Sequence, residues 1–177
     1  MKNKLFAGMA IVLLGIFLGA CSVRHVPNPG AVNIALESEQ AKNVSVNVIN
    51  AQDDSAEIKI GKAGFGTMYG DLHSWSETAV KLVKTTLEKQ GAAISDAAPK
   101  TLKLSVTEAI LDVAGIEFVA ALPRCKVSLK VETGEGYSQT YEESNKAMSP
   151  PGACDKAMTS VVSLLMKDQA VLDYLQK

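Results

Sequence analysis

The chain has little that nucleic-acid binding or redox chemistry requires. Aromatic residues make up 5% of its 177 positions, and basic and acidic residues nearly balance at 18 against 19. No run of lysine and arginine occurs, and a nucleic-acid interface needs such a run alongside stacking aromatics. Cysteines number three, without a CxxC pair or a Cys/His cluster, which argues against thioredoxin-like exchange and a structural zinc site. Histidines number two. The glycines of Gly61–Gly70, with Gly64-Phe65-Gly66 at their centre, fit neither the P-loop nor the dinucleotide fingerprint, and no Lys-Thr pair follows them. They read as a connector between elements. Asp53-Asp54 lacks EF-hand spacing and reads as a solvated pair.

What is present begins at the N-terminus. Met1-Lys2-Asn3-Lys4 carries two positive charges ahead of Leu5–Leu18, an apolar stretch too short to span a bilayer comfortably. Leu18-Gly19-Ala20-Cys21 then resembles the lipobox of bacterial lipoproteins, with an aliphatic residue followed by two small ones before the cysteine. The resemblance implies cleavage between Ala20 and Cys21, a diacylglyceryl thioether on Cys21 and N-acylation with palmitate-type chains. Each buried methylene contributes about 0.8 kcal/mol, so two or three chains anchor durably. Ser22 stands where an aspartate would retain an enteric lipoprotein at the inner membrane, which implies the outer membrane, facing the periplasm. The expected organisation is a signal peptide over 1–20, a lipidated tether over 21–30 with Pro27 and Pro29, and a single domain over 31–177. Without Lys2 and Lys4, 16 basic residues face 19 acidic ones, a net charge of about −3.

With Cys21 consumed by lipid, Cys125 and Cys154 are an even pair in an oxidising compartment, with one pairing open to them. The alternative is two separate buried thiols. A bridge closing a loop of about 28 residues would contribute on the order of 3 kcal/mol in the chain-entropy model.

Alternating apolar residues predict strands at Ala31–Leu36, at Val44, Val46 and Val48, and at Ile58 and Ile60 before Gly61. A helix is expected over Ser74–Gln90, with Ser74 and Glu77 as a capping box, Trp75, Ala79, Leu82, Val83 and Leu87 on one face, and Gly91 as its stop. Strands follow at Leu102, Leu104 and Val106 and at Val127, Leu129 and Val131. A turn at Thr133–Gly136 leads into a partner strand over Tyr137–Tyr141. Pro150-Pro151-Gly152 precedes one long closing helix, with Cys154 in its first turn. This order predicts an α+β two-layer sandwich, an antiparallel sheet with both amphipathic helices on one face.

The lipobox, this order and the sequence from Leu164 to Leu172 resemble the YajG-type family of small envelope lipoproteins. That resemblance implies an outer-membrane location and supplies no catalytic residues. Auxiliary lipoproteins of lipid-transport ABC systems have a similar outline. The expectation is therefore a non-enzymatic interaction or adaptor module without cofactor or metal, contacting the membrane through Cys21 and another envelope protein through an exposed strand edge. The alternative is an auxiliary or lipid-binding component of a trans-envelope transport system, with Phe65, Met68 and Tyr69 gating an apolar pocket. His25 falls in the tether. His73 has Asp71 and Ser74 close in sequence, but neighbours in one loop seldom converge as a triad, and a helix start stabilised by Asp71 and Ser74 is the better reading.

Overall fold

A computed structural model describes residues 22–30, 41–53, 55–63, 66–112 and 122–177. Within them the order is β1 (Ser22–Arg24), β2 (Ser45–Asn50), β3 (Glu57–Ala63), β4 (Gly66–Asp71), α1 (Leu72–Lys89), β5 (Ala93–Ile94), β6 (Lys100–Asp112), β7 (Arg124–Thr133), β8 (Ser138–Lys146), α2 (Pro150–Leu165) and α3 (Gln169–Gln176). The fold is α+β, as the pattern predicts. α1 and α2 touch one another over one shared core. The strand expected over Ala31–Leu36 lies outside the described residues.

β6 is the spine of the sheet. One of its edges pairs with antiparallel β7, and β7 pairs with antiparallel β8. Its other edge is shared. Parallel β2 runs beside Lys100–Leu104, and parallel β3 meets β6 where Gly61 faces Leu111. β4 returns antiparallel to β3, while β1 joins β4 and β5 joins β2 in parallel. The sheet is thus mixed in direction, where an antiparallel one was expected. α1 lies between β2 and β6 in the chain, and a helical crossover brings the chain back in the same sense.

Three local devices make this fork possible. A register shift between Val106 and Glu108 re-phases the alternation, so Leu102, Leu104 and Val106 point into the core and Ala109 and Leu111 still do so beyond it. Between the junctions with β2 and β3, the Val106 N–H donates to Ser76 Oγ of α1 at 2.7 Å, and that buried hydroxyl donates to the Leu72 carbonyl at 2.8 Å. The expected connector over Gly61–Gly70 is instead largely strand, since β3 and β4 account for its described residues. Its glycines serve close approach rather than freedom. A Cβ at Gly61 would stand 2.1 Å from the Leu111 carbonyl oxygen, and one at Gly70 would meet Ile60 at 2.6 Å and Trp75 at 2.9 Å.

α1 starts earlier than the expected capping box. Asp71 is its N-cap and accepts from the His73 and Ser74 amides, which places Ser74 inside the first turn. The helix stops at Gly91 (φ 87°), with the Gly91 and Ala92 amides bonded to the Glu88 and Leu87 carbonyls. The closing helix is two helices. Ser149 caps α2, with the prolines at its first positions rather than before it, and Asp168 caps α3. Trp75, Ala79, Val83 and Leu87 from α1 meet Val46, Val48 and Leu104 from the sheet. Ala157, Val161 and Leu165 from α2 complete the core with Val127, Leu129 and Val131.

Candidate functional site

Ala20 and Cys21, the expected cleavage and lipidation residues, lie outside the described residues. Their neighbour Ser22 does not begin a free tether. Ser22, Val23 and Arg24 stand in register with Thr67, Met68 and Tyr69. The His25 N–H extends the pairing by donating to the Tyr69 carbonyl at 2.9 Å. The His25 carbonyl then accepts from Trp75 Nε1 at 2.9 Å, and its ring stands edge-on to the indole, 6.0 Å between centroids. Further along, the Pro27 carbonyl accepts from Thr78 Oγ1 at 3.2 Å, and the Asn28 N–H donates to Asp155 Oδ1 at 2.9 Å. Residues 22–28 are thereby fastened to β4, α1 and α2, where a tether over 21–30 had been expected. The physical cause is mutual need. A fully buried indole N–H must find an acceptor, and an extended segment offers bare carbonyls.

His25 is a titratable group seated in this docking. Its Nε2 is buried and lies 3.4 Å from Asp155 Oδ1, close enough for an ion pair but not aligned as a hydrogen bond. Burial holds its pKa below the ordinary 6.5, and the Asp155 carboxylate opposes that shift.

The neighbourhood of His73 is arranged as a helix start. The Ser74 hydroxyl donates to Asp71 Oδ2 at 2.7 Å. Asp71 Oδ1 accepts from the Ala56 amide at 3.0 Å. Burial would raise the Asp71 pKa, but these donors outweigh it and hold the carboxyl below its ordinary range. The His73 ring turns elsewhere. Its Nδ1 is 2.6 Å from the Gln52 carbonyl oxygen and its Nε2 is 3.3 Å from Glu77 Oε1. The Gln52 carbonyl is the main cause of a raised His73 pKa, with Glu77 adding to it. Ser74 therefore faces a carboxylate and His73 a carbonyl, so no proton path joins the hydroxyl to the imidazole as a triad needs. Asp53 is exposed, and Asp54 lies outside the described residues.

A disulfide joins Cys125, the first inward residue of β7, to Cys154 in the first turns of α2, with both cysteines fully buried. Asp155 comes next, so the disulfide and the docked N-terminal segment meet at one place on α2. At the other end of α2, the hydroxyls of Tyr137 and Tyr141 both donate to Asp168 Oδ2. Asp168 Oδ1 accepts from the Ala170 amide at 2.7 Å at the start of α3. Burial would raise the Asp168 pKa, but the two phenols outweigh it and the carboxyl sits below its ordinary value. Burial first, and then that carboxylate, push the Tyr141 phenol well above its own ordinary value. This convergence accounts for the break between α2 and α3, and nothing local in sequence announces it.

Two open grooves flank α1. One, of about 410 Å³, lies between Pro27–Gly30 and Thr78, Lys81 and Thr85. The other, of about 580 Å³, runs between Val48–Asn50 of β2 and Val80, Lys84 and Glu88. Met68, expected in a gate, is fully buried in the core, and Phe65 lies outside the described residues. On the opposite flank β8 pairs only with β7 among the described residues, and its nine residues contain no proline.

No family model matches the chain, and no curated protein matches its sequence. Among solved structures it is similar to protein XCC0632 from Xanthomonas campestris, described with the family model DUF330. That match has a TM-score of 0.51 and 16% identity, covering 83% of this chain and 93% of that one. A PelC dodecamer from Paraburkholderia phytofirmans matches at a TM-score of 0.39 and 16% identity, over 77% of this chain and 88% of that one. The first likeness is one of fold alone, and the second is too distant to carry an argument.

Proposed function

We propose that this chain is a lipid-anchored envelope protein that works by contact rather than catalysis. It is an interaction or adaptor module held through acylated Cys21 at the periplasmic face of the outer membrane, in the manner of the YajG-type lipoproteins it resembles. The observation that carries this reading is the docking of residues 22–28. The lipobox cysteine is followed directly by a strand of the sheet, so anchor and domain make one piece. Asp71, Ser74 and Asp168 support it by being engaged as caps and their partners. The partner surface is the edge of β8 that no strand among the described residues pairs, whose amides and carbonyls suit an added strand. A lipid-binding role in a trans-envelope transport system is the second reading. The grooves beside α1 mix apolar Leu82, Val48 and Val80 with lysine, glutamate and threonine and stay open to solvent, which suits an enclosed acyl chain less well than an edge contact suits a protein.

Clickable palmitate fed to cells should label the chain, and Cys21→Ala should abolish the label; labelling that survives the substitution sinks the anchor. A photocrosslinking residue at Thr140 on β8 should capture one envelope protein. Capture from Lys103 on the open sheet face but not from Thr140 would sink the edge assignment.

A further inference from the structure

We infer that the rim of the sheet beside Ser22 is a lipid-contacting face that seats the domain on an anionic bilayer surface. This inference rests on the proposed acylation of Cys21. The strand registers place that rim. Ser22 stands opposite Thr67, and Thr67 opposite Lys62. One step past the Gly61–Leu111 contact, β6 ends at Asp112, which pairs with Arg124, which pairs with Lys146. The residue adjoining Cys21 therefore lies on the same rim as the C-terminal ends of β3, β6 and β8 and the start of β7.

Charge and hydropathy on this rim point to one partner. Among the described residues of this rim, Lys62, Arg124 and Lys146 are exposed against one exposed acid, Asp112. The chain leaves the rim through Leu122 and Met148, 44% and 88% exposed, and the Ala147 N–H donating to the Pro123 carbonyl at 3.2 Å keeps those two exits together. One exposed apolar side chain needs no explanation. Here a pair of them shares a rim with three basic groups and with the residue next to the anchor. Lipid headgroups take the cations and the acyl boundary takes the thioether and isobutyl groups. The opposite end differs, since Lys130 pairs with Glu132 at 2.5 Å and Lys177 with Glu135 at 3.9 Å. Distance supplies the last argument. Adjacent Cα atoms are about 3.8 Å apart, so a lipid on Cys21 holds Ser22 and its rim at the headgroup layer.

The test uses the acylated protein in vesicles of phosphatidylethanolamine with phosphatidylglycerol, with bromine on the acyl chains as a quencher. Two variants each add one reporter, Met148→Trp on the rim and Glu135→Trp at the far turn, and buried Trp75 is a background common to both. The rim reporter should be quenched several-fold more than the far one. Reversing Lys62, Arg124 and Lys146 to glutamate should remove most of that difference, because each basic group near an anionic surface is worth about fivefold in binding. Equal quenching of the two reporters, or stronger quenching at Glu135→Trp, overturns the inference. If Met148→Trp fails to fold, Leu122→Trp reports on the same rim. Mass spectrometry of the purified protein separates the two ways of failing. An unmodified Cys21 refutes the anchor and the inference together, whereas an acylated Cys21 with equal quenching refutes the inference alone.

Discussion

The two flanks of this sheet are secured by different chemistry. On the β7–β8 flank, α2 is fixed by a covalent bond from Cys125 to Cys154. On the β4–β1 flank, residues 22–28 and α1 are held by the buried indole of Trp75, one histidine and hydrogen bonds to main-chain carbonyls. The first hold responds to redox conditions and the second to solvation and pH. Because Asp155 follows Cys154 and receives the Asn28 amide, the covalent flank also serves as the seat of the non-covalent one.

The sharpest way to break this contrast is Trp75→Ala. Removing a fully buried tryptophan costs about 3–5 kcal/mol, to be read by chemical denaturation. It also removes the donor to the His25 carbonyl, so amides of residues 23–25 should lose hydrogen-exchange protection; unchanged protection there would show that β1 holds by itself. Replacing Cys125 and Cys154 together by alanine should cost about 3 to 4 kcal/mol for this 29-residue separation, while β1 stays protected. Loss of β1 protection in that double variant would merge the two flanks into one unit. Ser76→Ala strands the buried Val106 N–H at the fork and should cost about 1–3 kcal/mol, with local exchange at Val106 as the readout.

The smallest effect concerns pH. The docked state holds His25 below its ordinary pKa of 6.5, so docking is fully favoured above that value and weakens as pH falls through it. His73 is shifted upward, so its contribution is present below 6.5 and fades as pH rises through the folded value. With two histidines in the chain, an NMR titration should show one imidazole on each side of 6.5. Finding His25 to be the more basic of the two would contradict the buried seat described for it.

Much of the sheet was legible where one face of a strand is buried. Val44, Val46 and Val48 show it, as do Val127, Leu129 and Val131. The cysteine pair was legible by count. Gly61 and Gly70 misled because the reasons for them, the Leu111 carbonyl and the Trp75 indole, lie on other elements. The start of α1 moved because both Asp71 and Ser74 can cap, and the end of β4 decides between them. At the candidate site the polar neighbours of His73 were readable as a helix start. The docking of residues 22–28 was not, since it depends on contacts such as Asn28 to Asp155, 127 positions apart. Local pattern carries no information about pairs of that kind.

The direction of β1 has a mechanical consequence. It runs parallel to β4 with the proposed anchor at its own leading end, so a tug on the domain away from the membrane loads the pair lengthwise. All its rungs then share the load, whereas a strand peeled from its end gives way one rung at a time. If those rungs failed, the His25 carbonyl and the Trp75 indole would be next in line, followed by Thr78 and Asp155. The segment is built as a graded fastening, shear first and side chains behind it.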